Sequence, residues 1–191
     1  SDKSIKELAK SLGSLDIAKI KETIKKSSFE GKINQSLCVY ETSNKKLDKI
    51  YLIGLGEKNK YNEKKFLKSI SSFSKICKTE NIKNIYLGVS SFINDKFSVD
   101  WAIRNISIHI NGIDYHYDET KNKTKNKNIY KVSKLFFVFN SIKKNYKQDL
   151  KKYFSQGKAI ANGIKLAKNL GDLPSNICTP TYLAKTAASL G

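Results

Sequence analysis

His109, His116, Asp114 and Asp118 are the side chains whose types come nearest to chemistry in this 191-residue chain. Imidazole nitrogen and carboxylate oxygen are donors that Zn²⁺ and Mn²⁺ accept, so the four could be offered as a metal site. Their spacing matches no known site, and a metal centre needs convergent ligands held by supporting hydrogen bonds, so surface or loop roles are the better reading. Leu55-Gly56-Glu57, after an apolar run, could be a phosphate-cradling turn. It lacks the fuller glycine fingerprint and reads instead as a turn that ends a strand. Cys38, Cys77 and Cys178 are odd in number and far apart, with no C-x-x-C pair, which fits a reduced, cytoplasmic protein. Cys38 and Cys77 sit in apolar stretches and read as small core residues, with no histidine placed to activate them. No catalytic, metal-binding or cofactor-binding residue is assigned.

The formal net charge is +19, from 36 Lys and Arg against 17 Asp and Glu. Such a balance ordinarily points to nucleic acid. Arg104 is the only arginine, however, leaving 36 − 1 = 35 lysines in a chain also crowded with Asn and Ile. That pattern is a residue bias spread over the whole chain, which makes basic surfaces without selecting for them. Arginine is the side chain suited to bidentate phosphate and guanine contacts, so its scarcity argues against a sequence-specific reader. Non-specific attraction to DNA stays open. The lysine-rich segment from Glu119 to Lys131 has only Tyr117 and Tyr130 beside it as aromatics and reads as a solvated loop. Hydrophobic residues at 39% and charged residues at 28% suit one globular domain with its own core. No apolar run approaches the roughly 20 residues of a membrane-spanning helix, so no membrane partner is expected. The chain starts Ser1-Asp2-Lys3-Ser4 and has no Met. The native start, and with it a first strand, is expected to be missing.

These residues must be carried by alternating helices and strands. Ile17, Ile20 and Ile24 recur at helical spacing after Asp16, a candidate N-cap, and predict a helix to about Lys26. Phe29 to Lys32 breaks it. Ser36–Tyr40 and Lys49–Gly54 read as strands, the second well buried. Phe66, Leu67, Ile70, Phe73, Ile76 and Cys77 form one helical stripe. Asn84–Val89 follows as a strand that would pair in parallel with Lys49–Gly54 across that helix. Ser98 or Asp100 opens a helix through Trp101, Ile103, Ile106 and Ile110 to about Gly112. Lys134–Phe139, apolar at consecutive positions, reads as a strand covered on both faces. A long helix spans about Asn145 to Leu170 with Leu150, Phe154, Ala161, Ile164 and Ala167 as its stripe. Gly157, Ala159, Ala161 and Gly163 allow close contact in that helix, and Gly171 is its cap. Leu173–Cys178 reads as extended because of Pro174, and Thr179-Pro180 opens a last helix through Tyr182, Leu183, Ala187 and Leu190. The alternation predicts an α/β layered domain.

Ala161 to Ala184, a small-residue helix followed by Leu173-Pro174-Ser175-Asn176 and Thr179-Pro180-Thr181-Tyr182-Leu183-Ala184, resembles the domain junction of the leucyl (cytosol) aminopeptidases. That family carries N-x-P-x-N and T-P-x-x-L-A there. Phe29-Glu30-Gly31-Lys32 and Ile50 to Gly56 also look like its N-terminal domain. Asp172 stands where the family usually has Asn, and Leu173 where Glu is common. The resemblance implies a macro-domain-like, three-layer mixed β-sheet flanked by helices over residues 1–171. Residues 172–191 would be a linker and the start of a helix leading to an absent catalytic domain. It implies a cytoplasmic homo-hexamer that removes N-terminal residues from peptides, leucine favoured, with two divalent ions, Mn²⁺ or Zn²⁺. The metal ligands, a catalytic lysine and an arginine would all belong to the C-terminal catalytic domain. In some bacterial members the N-terminal domain helps bind DNA. A macro-like fold also raises a vestigial ADP-ribose pocket.

Overall fold

The computed structural model describes residues 14–40, 42, 48–92, 97–120, 130–138 and 146–190. The run 121–129 of the lysine-rich segment and Phe139 lie outside the described residues. Within them the elements are α1 (Ser14–Lys26), β1 (Ser36–Tyr40), β2 (Lys49–Ile53), α2 (Glu63–Thr79), β3 (Asn84–Gly88), α3 (Val99–Gly112), β4 (Lys134–Val138), α4 (Tyr146–Asp172) and α5 (Pro180–Ala188).

The class is the expected mixed α/β, with short strand pairs flanked by helices. β1 and β2 form an antiparallel pair in which Cys38 faces Tyr51, and β3 and β4 form a parallel pair in which Tyr86 faces Phe136. The expected parallel pairing of β2 with β3 is therefore corrected. β2 takes the antiparallel neighbour closest in sequence. β3 finds its parallel partner beyond α3, a crossover long enough to bring two strands side by side in the same direction. β2 is half-buried where deep burial was expected, since it lies in a two-stranded pair whose buried member is Val39 on β1.

The core lies where α2, α3, β3 and β4 meet. Asn62 caps α2 by accepting from the Lys65 amide at 3.0 Å. Spacing then puts Phe66, Ile70, Phe73 and Cys77 on one buried face. α3 adds Ala102, Ile103, Ile106 and Ile110, while Ile85 and Leu87 of β3 point inward between them. Phe66 lies at the centre of an aromatic group with Phe92, Phe97 and Trp101, its centroid 4.9 to 6.2 Å from theirs. Tyr130, expected beside a solvated loop, is instead buried and donates its hydroxyl hydrogen bond to the Ile82 carbonyl at 2.5 Å.

β4 is covered on one face only. Leu135 and Phe137 turn to the core, but Phe136 stacks on Tyr86 outside, centroids 4.7 Å apart, and both rings stay largely exposed. Asp16 proves to be a buried first-turn residue of α1, whose first residue is Ser14. Gly171 does not cap α4, which continues through Asp172 and closes with the Leu173 amide on the Asn169 carbonyl at 3.1 Å. Leu173–Cys178 is a turn, because proline restricts the residue before it but leaves its own carbonyl free. The Ile177 and Cys178 amides both donate to the Pro174 carbonyl at 2.9 Å. Thr179 caps α5 as expected, its side chain accepting from the Tyr182 amide at 3.3 Å, with Pro180 at the first position.

Candidate functional site

The sequence-predicted polar residues fall on the segment that leaves α3 and runs along α4. Asp114, Tyr115, His116, Asp118 and Glu119 line a shallow cleft of about 370 Å³ whose far wall is Lys165, Leu166 and Asn169 of α4. Lys165 pairs with Asp114 at 2.5 Å, the Asn169 side-chain amide donates to Glu119, and the Tyr115 hydroxyl donates to Asp172. Lys168 sits over the Tyr115 ring, 5.3 Å from its centroid. The Tyr115 phenol is pushed up to about 12, first by loss of solvent and then by the Asp172 carboxylate. Each of these contacts joins the 113–120 segment to α4, which makes the cleft a seam between two elements. His109 lies one α3 turn before it, and burial lowers its basicity. Among the described residues no three His, Cys, Asp or Glu side chains gather where they could hold a metal ion. Lys165 and Asn169 were not singled out from sequence. Their four-residue spacing was visible, but the segment that folds over them was not.

The remaining candidates have structural partners. Gly56 adopts φ +75°, a conformation glycine accepts readily, and its amide donates to the Gly31 carbonyl at 2.8 Å. Glu57 pairs with Lys60 at 2.9 Å. The Leu55-Gly56-Glu57 turn thus spends its Gly56 amide on its own fold. Cys77 is buried, and burial pushes its thiol up to about 12, far from the thiolate a nucleophile needs. Cys38 is half-buried in a second shallow cleft, of about 350 Å³, that also includes Tyr51, Lys75 and Glu80. Glu80 there is held below its usual carboxylate range by the hydrogen bond and charge of Lys49.

α4 meets α3 at Gly157, beside Arg104 and Ser107, and the Ser107 hydroxyl donates to the Phe154 carbonyl at 2.6 Å. Ala161, four residues on, is buried, whereas Ile164 on the same stripe and Ile160 beside it are 41% and 45% exposed. Ile164 and Ala167 were expected in the buried stripe, and both are exposed. α5 buries no residue.

The sequence profile for the N-terminal domain of the cytosol aminopeptidase family matches residues 2–124. The chain belongs to the cytosol aminopeptidase family. It is 33% identical over 173 residues to a probable cytosol aminopeptidase of Blochmanniella floridana, covering 90% of this chain and 34% of that one. To another from Buchnera aphidicola subsp. Schizaphis graminum it is 34% identical over 172 residues, covering 90% and 33%. The chain thus spans about a third of the length of these curated relatives. Among solved structures it is similar to a mutant tomato leucine aminopeptidase, with TM-score 0.65 and 19% identity, over 96% of this chain and 33% of that one. It is also similar to a bottromycin maturation enzyme in complex with Mn, with TM-score 0.64 and 14% identity, over 87% and 32%. At such identities these likenesses speak to the fold alone. Within this family the seam at Asp114 to Glu119 belongs to an N-terminal domain. No helix among the described residues is long and apolar enough to cross a membrane.

Proposed function

We propose that this chain is the non-catalytic N-terminal part of a cytoplasmic leucyl aminopeptidase. Residues 1–171 form the domain, and residues 172–191 are the linker and first helix toward the catalytic region. The full-length protein would remove N-terminal residues from peptides, leucine favoured, as a homo-hexamer using two divalent ions, Mn²⁺ or Zn²⁺. The observation that carries this reading is the match of residues 2–124 to an N-terminal domain, in a chain that aligns over 90% of itself with a third of its relatives. The catalytic residues and the ions are assigned to the other two thirds. No catalytic step is therefore routed through side chains of this chain.

The test is release of chromophore from a leucyl anilide, with Mn²⁺ added or chelated. Full-length protein should hydrolyse it in a metal-dependent way, and the 191-residue chain should not. Metal-stimulated hydrolysis by the 191-residue chain, retained through further purification, would overturn its non-catalytic role. A full-length protein inert under every metal condition would overturn the aminopeptidase assignment. A DNA-binding role rests on the +19 charge alone, and no feature of the cleft favours it.

A further inference from the structure

We draw no further inference here: the strongest candidate, the exposed Tyr86–Phe136 aromatic patch on the outer face of the β3–β4 pair, is an unpartnered apolar face, and nothing in the structure shows what covers it.

Discussion

His109 is the residue whose surroundings have the clearest consequence in solution. Burial lowers its folded-state pKa from the ordinary 6.5, because the imidazolium loses water inside the domain. The unfolded chain thus takes up this proton at higher pH than the folded one. Its contribution to stability is complete above about 6.5 and is lost as pH falls through that value toward the lower folded one. The melting temperature should therefore drop between about pH 7.5 and pH 5.5, and His109→Asn should flatten the drop. A pH profile unaffected by His109→Asn would show that other groups carry the dependence. At this scale the sequence disclosed residue type more readily than surroundings. Cys77 was legible as core because it completes a stripe with Ile70 and Phe73. The burial of Asp16 and Tyr130 was not legible, since a carboxylate before a helix and a phenol beside a lysine run both read as solvated.

At the scale of elements, two glycines of α4 separate what looks alike in sequence. A Cβ added at Gly157 would lie 2.5 Å from the Arg104 carbonyl oxygen and 2.5 Å from the Ser107 Cβ, whereas one at Gly163 would meet nothing within 4 Å. Gly157→Ala should destabilise the domain by about 1 to 2 kcal/mol. Forcing helix backbones apart costs roughly 1 to 3 kcal/mol and the gain in helix propensity returns up to about 1. Gly163→Ala should stabilise it by about 0.5 to 1 kcal/mol, having the propensity gain alone. Urea midpoints measured on the two variants should move in opposite directions. A Gly157→Ala protein as stable as the parent would mean that α3 and α4 can separate cheaply. Both glycines were read from sequence as permitting close contact, and nothing local distinguishes them. Only the crossing point of α3 on α4 does.

For the whole molecule, the +19 charge is the property whose meaning solution experiments can decide. Lysine-rich surfaces attract duplex DNA through released counterions, so any binding should be indifferent to sequence. It should weaken on the order of a thousandfold between about 50 and 200 mM salt if six or more phosphates are contacted. Fluorescence anisotropy with two unrelated duplexes across a salt series measures this. Preference for one duplex, or salt-insensitive binding, would show a built recognition surface that composition does not predict.

The order of helices and strands, the α2 stripe, the Thr179-Pro180 helix start and the family junction were all determined by the sequence itself. Periodicity and capping are local, and each is satisfied by residues within a few positions of one another. The tertiary structure alone decided which apolar faces are covered. Phe136 and Ile164 have the same apolar character as Phe137 and Ala161, yet the first two lie outside and the second two face the domain. It also decided that β3 pairs with β4 and that Asp114 meets Lys165. The reason is physical: a sequence period reports that a face is apolar, while its partner depends on how distant segments meet when the chain folds.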